Sequence, residues 1–68
     1  MSKYKFESED DAVAAQEEIV QKGWIGATEQ EGQYIRVKTH GLSSDLILDI
    51  EEVIKKHGGK GKVIAGLI

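Results

Sequence analysis

Few residues of this 68-residue chain could do chemistry, and their spacing rules out most of what they could do. His40 and His57 could share a metal ion with a carboxylate if the fold brought them together. They fall at opposite ends of the amphipathic stretch that begins at Ser43, and a helix of that length spans about 20 Å at roughly 1.5 Å per residue. Turn and helix-end roles are therefore expected for the two imidazoles, and no metal site. Cysteine is absent, which removes disulfides, thiolate zinc, iron–sulfur clusters and cysteine nucleophiles. Gly58-Gly59-Lys60-Gly61-Lys62 has the letters of a phosphate loop. Its glycines leave a helix, however, whereas a phosphate loop needs the free N–H groups of a helix start. No nucleophile–base pair or facing carboxylates emerge, so the chain is expected to be non-enzymatic, without catalytic residues or cofactor.

What remains is a set of cations beside aromatic rings. Lys3, Lys5, Arg36 and Lys38 lie on short alternating stretches, with Trp24 and Tyr34 among them. Cations tracking phosphates and rings stacking on bases are how single-stranded nucleic acid is held. The same alternation also keeps any half-exposed strand soluble. Tyr4 and Phe6 share the parity expected to face the core, which leaves Tyr34 as the one ring on the central exposed strands. The net charge of -3 further opposes phosphate binding. The sign is segregated: residues 1–31 hold three lysines and eight acids, and residues 32–68 hold six basic residues and four acids. The chain ends in Val63, Ile64, Leu67 and Ile68, apolar on both parities, which on an edge strand makes an association surface.

The elements that must position these groups are legible from periodicity and caps. Lys3 to Glu7 alternates with period two, as a half-buried strand does. Ser8 is an N-cap before the acids Glu9, Asp10 and Asp11, which suit the positive end of a helix dipole. That helix is expected over about Glu9 to Lys22, with Ala12, Val13, Ala15, Gln16, Ile19 and Val20 on one face, a Glu18–Lys22 pair, and Gly23 as its stop. Trp24 to Glu29 and Gln33 to Thr39 read as a hairpin closed by a glycine-bulge loop at Gly32. Glu29 then pairs with Gln33, Ala27 with Ile35 and Ile25 with Val37. This register puts Ala27, Ile25, Ile35 and Val37 in the core and Trp24, Tyr34, Arg36 and Lys38 on the open face. Ser43 caps a second helix whose stripe is Leu46, Ile47, Ile50, Val53, Ile54 and His57. Glu51–Lys55 and Glu52–Lys56 pair along its outer side, and Gly58-Gly59 end it. Lys62 to Ile68 is the final strand.

Strand–helix–strand–strand–helix–strand is the order of a ferredoxin-like βαββαβ sandwich: a four-stranded antiparallel sheet of order 4-1-3-2 with both helices on one face. One domain fills the chain. Two families with this layout resemble it in architecture only. Heavy-metal-associated copper chaperone domains bind through a CxxC after the first strand, where this chain has Glu7-Ser8-Glu9-Asp10; acylphosphatases hold phosphate in the same loop, where these acids would repel it. Gly23-Trp24-Ile25-Gly26 matches the GxxG of KH domains by letter, but that loop joins two helices and this one joins a helix to a strand. No run of 18 apolar residues, signal peptide or lipidation motif is present, so a cytoplasmic protein without membrane association is expected, and Met1 suits a complete small protein. The expected function is protein association, as a homodimer or with another protein, through Trp24, Tyr34, Arg36, Lys38, Ile64 and Ile68. The alternative is single-stranded nucleic acid on Lys3, Lys5, Arg36 and Lys38.

Overall fold

Six elements follow one another in a computed structural model that describes residues 2–38 and 41–64. They are β1 (Ser2–Lys5), α1 (Glu9–Gln21), β2 (Thr28–Glu31), β3 (Tyr34–Val37), α2 (Ser44–Lys56) and β4 (Lys60–Ile64). Both helices begin on a serine whose hydroxyl accepts from an otherwise free N–H: Ser8 Oγ from Asp11 N at 3.2 Å and Ser43 Oγ from Leu46 N at 3.2 Å. Both end in the same six-to-one and five-to-two hydrogen-bond pair. Trp24 N donates to Ile19 O and Gly23 N to Val20 O; Gly59 N donates to Ile54 O and Gly58 N to Lys55 O. Gly23 and Gly58 supply the left-handed residue that this closure needs, at φ 90 and 89.

β3 is hydrogen-bonded to β1 on one side and β2 on the other, antiparallel to both. Tyr4 stands opposite Ile35 and Lys3 opposite Arg36, while Gln30 stands opposite Ile35 and Glu29 opposite Arg36. One face of this sheet is covered by the helices. Tyr4, Phe6, Ala27, Ile35 and Val37 form a single buried cluster with Ala12, Ala15 and Ile19 of α1 and Ile50, Val53 and Ile54 of α2. The Tyr4 ring is buried and its hydroxyl donates to a carboxylate oxygen of Glu51. Burial, reinforced by that carboxylate, pushes the phenol well above the usual tyrosine range.

The regularly registered sheet is three-stranded, β1-β3-β2. The expected ferredoxin-like sandwich with a four-stranded sheet of order 4-1-3-2 is corrected to this extent: three strands are regularly paired beside the two helices, and β4 joins the β1 edge only through an interrupted ladder. The departure lies in the last segment. β4 runs antiparallel along the other edge of β1, but its pairing steps from Lys3↔Val63 to Lys5↔Lys60. One extra residue on the β4 side breaks the ladder there, and Gly61 lies within the slip, where the lack of a side chain leaves the register weakly specified. The part of the expected final strand beyond Ile64 lies outside the described residues.

The hairpin is corrected as well. The expected strands Trp24 to Glu29 and Gln33 to Thr39 are observed as Thr28–Glu31 and Tyr34–Val37. Glu31 pairs with Tyr34, so the loop is the two residues Gly32-Gln33. Gly32 has φ 59 and no non-glycine residue has a positive φ, which fits a type II′ turn with glycine first. The expected Glu29–Gln33 pairing therefore gives way to one displaced by three residues, an odd number. Every side chain of β2 changes face. Thr28 is buried and its hydroxyl donates to Gln16 Oε1 at 2.7 Å, whereas Ile25, expected in the core, is 77% exposed. On α1, Val20 likewise lies 41% exposed rather than on the core face.

Candidate functional site

The face of the sheet turned away from the helices carries Lys3 and Lys5 from β1, Tyr34 and Arg36 from β3, and Glu29 and Glu31 from β2. Lys3 Nζ lies 4.6 Å from the Tyr34 ring centroid, within cation–π range. Glu29 sits between two cations, with Oε1 at 3.8 Å from Arg36 Nη1 and Oε2 at 3.7 Å from Lys38 Nζ. Tyr34 is flanked across its two ladders by Lys5 and Glu31. The expected basic face is thus of mixed sign, because the true register of β2 turns Glu29 and Glu31 outward. Exposed pairs of this kind contribute about 0–1 kcal/mol each; their effect is on the potential of the face more than on stability.

Of the expected interaction residues, the structure brings together Tyr34, Arg36 and Lys38, and with them Lys3 and Lys5. It does not bring Trp24 there. Trp24 is half-buried on the helix side, where it packs against the core and lines a groove of about 410 Å³ with Glu18 and Lys22 from the end of α1 and Asp49, Glu52, Val53 and Lys56 from α2. The reason is local: the closure of α1 turns the chain back at Gly23, and Trp24 follows in contact with α2 before β2 begins. Ile64 lies in the backbone of β4, and its side chain, like Ile68, falls outside what is described.

Two ion pairs expected along helix surfaces, Glu51–Lys55 and Glu52–Lys56, are absent among the described residues, and so is Glu18–Lys22. Glu18 instead joins the helices: its Oε1 lies 2.8 Å from His57 Nε2 and both its oxygens lie 3.2 Å from Lys56 Nζ. The hydrogen bond from His57, then that from Lys56, holds this carboxyl below the usual glutamate range. Lys22 turns over Trp24, with Nζ 5.7 Å from the ring centroid. Glu18, Asp49 and Glu52 were missed as a group by sequence reasoning because they meet only through packing of the two helices. The one available signal was the aromatic residue directly after a glycine helix stop, a position that commonly packs back onto its own helix. His57 takes a helix-end role, and His40 lies outside the described residues. Among the described residues no three His, Asp or Glu side chains cluster as a metal site, and no helix is long and apolar enough to cross a membrane. Comparison with family models, curated proteins and solved structures found no match.

Proposed function

We propose that the chain is a non-enzymatic association module that binds protein, a second copy of itself or another chain, through the open sheet face centred on Tyr34, Arg36 and Lys38. The observation that supports this reading is Glu29 held between Arg36 and Lys38. A tyrosine and an arginine among charges of both signs resemble the composition of protein interfaces, where these two side chains recur as anchors. Single-stranded nucleic acid favours a face of one sign with several rings to stack on. Here Glu29 and Glu31 oppose phosphate and Tyr34 is the one ring on this face, which leaves Lys3 and Lys5 as the main support for that alternative.

Sedimentation across a dilution series, with the Tyr34→Ala/Arg36→Glu variant beside the wild type, tests the reading. Association at tens of micromolar that is lost in the variant is expected for the self-paired form, and a monomeric wild type leaves pairing with another protein. A parallel titration with single-stranded oligonucleotides at two salt concentrations decides against it. Salt-steep binding that is lost in Arg36→Glu/Lys38→Glu would assign the face to nucleic acid instead.

A further inference from the structure

We infer that the free edge of β2 and the flank of α1 above it form a two-fold interface with a second copy of this chain, on a surface other than the open sheet face. β2 is an outer strand, bonded on one side only, to β3. In an antiparallel ladder, residues whose main-chain groups point to the neighbouring strand alternate with residues whose groups point away. Lys38 N donates to Ala27 O at 2.9 Å, so Ala27, Glu29 and Glu31 bond toward β3. The N–H and C=O of Thr28 and Gln30 then point out from the edge, and they take no partner among the described residues. What pairs with all four groups at once is another extended strand. Two copies of β2 related by a two-fold axis at Glu29 do so mutually. Thr28 of each stands opposite Gln30 of the other, and every outward group of both strands is bonded. An axis at Thr28 or at Gln30 serves only half of them, because the remaining groups would meet the turns at Gly26 or Gly32.

Charge and shape agree with the axis at Glu29. It sets the two Glu29 side chains directly opposite each other, where bare carboxylates would repel. Each Glu29, however, lies between Arg36 and Lys38 of its own chain, at 3.8 and 3.7 Å. The pair is therefore two carboxylates among four cations. On the helix side, Gln16 of α1 accepts from the Thr28 hydroxyl at 2.7 Å, which places Gln16 beside the axis. Val13 and Val20 lie on the same line of α1, at i−3 and i+4 from Gln16. They are the larger aliphatics of α1 that the core leaves out, Val13 half-buried and Val20 41% exposed. An axis near Gln16 runs the two α1 helices antiparallel and sets Val13 of each against Val20 of the other. Glu9, the acid on that line, lies two turns from the axis, past the last turn of the other helix. The paired molecules share one continuous sheet, so the open face is widened by the pairing and left uncovered.

The chain has no cysteine, so a single introduced thiol reports the axis. In Glu29→Cys the two sulfurs belong to a non-hydrogen-bonded pair with Cα atoms about 4.5 Å apart, within disulfide reach. Air oxidation, at a salt concentration that screens the cations left by the substitution, should link Glu29→Cys chains into dimers. Glu31→Cys, on the same face, stands about 13 Å from its mate at roughly 3.3 Å per residue and should stay unlinked. Gln30→Pro keeps the β2–β3 ladder, because the N–H that it removes points outward. Sedimentation should show its association weakened about tenfold, since two hydrogen bonds per pair are lost. Val20→Glu, on an exposed helix position, should weaken it likewise, and circular dichroism checks that both variants are folded. Tyr34→Ala, placed in the Glu29→Cys chain, should leave the link intact, which keeps this test separate from that of the open face. Association lost in Tyr34→Ala/Arg36→Glu with no link in Glu29→Cys would leave the open-face reading standing and overturn this one. Equal linking of Glu31→Cys, undiminished association in Gln30→Pro and Val20→Glu, or a link abolished by Tyr34→Ala would each overturn it as well.

Discussion

A Cβ built on Gly59 would lie 2.3 Å from Ile54 Cγ2 and 2.9 Å from both the Ile54 carbonyl oxygen and Phe6 Cζ. The residue after the α2 closure is therefore glycine for want of space. Gly59→Ala should cost about 1–3 kcal/mol of stability, as overpacking does, read as a lower denaturant midpoint at unchanged slope, and an unchanged midpoint would show that the contact relaxes freely. Glu18 makes a second prediction at this scale. Its carboxyl is held below the ordinary range by His57 and then Lys56, so the folded state binds its proton less readily than the unfolded chain does. The stabilisation is complete above the ordinary glutamate value of about 4.3 and is lost as pH falls through the lowered folded value. Glu18→Gln should therefore be less stable than the wild type at neutral pH, and the two melting curves should converge in acid. A constant gap across the acid range would show that Glu18 acts by packing alone.

The hairpin is the element whose register decides which side chains are core. Ile35 is fully buried between Tyr4 and Gln30 in the ladders, while Ile25 lies outside any strand. Ile35→Ala should cost about 2–5 kcal/mol and Ile25→Ala no more than about 0.5 kcal/mol. Comparable losses in chemical denaturation would restore the bulged loop and its Ile25–Val37 pairing. The two helices were legible in the sequence because their signals are local: Ser8 and Ser43 at their starts, Gly23 and Gly58 past their ends, and an apolar stripe that held at Ala12, Ala15, Ile19, Ile50, Val53 and Ile54. The hairpin was not, because a glycine at position 32 serves a two-residue turn as well as a bulged one. Alternation through Ile25, Ala27 and Glu29 favoured the wrong choice. The parity of Tyr4 and Phe6 was legible from the lysines between and beside them.

At the scale of the molecule, the open face was partly legible. Tyr34, Arg36 and Lys38 follow from the strand alternation, but the acids that neutralise them follow from the register of β2, and Trp24 went to the wrong layer with the same error. The groove was not legible at all, since its carboxylates come together through the crossing of α1 and α2. The sorting of charge between layers has its own result. Nine carboxylates and two lysines lie on the helices, while Lys3, Lys5, Arg36 and Lys38 face the other way with Glu29 and Glu31 among them. Such a sorting gives the molecule an electric dipole that runs between the helix layer and the open sheet face. A net charge of zero, reached near pH 5.3, does not abolish that moment, so even there the molecule turns as it approaches another charged body. A negative surface meets the sheet first and a positive one meets the helices, before any side chain has made contact.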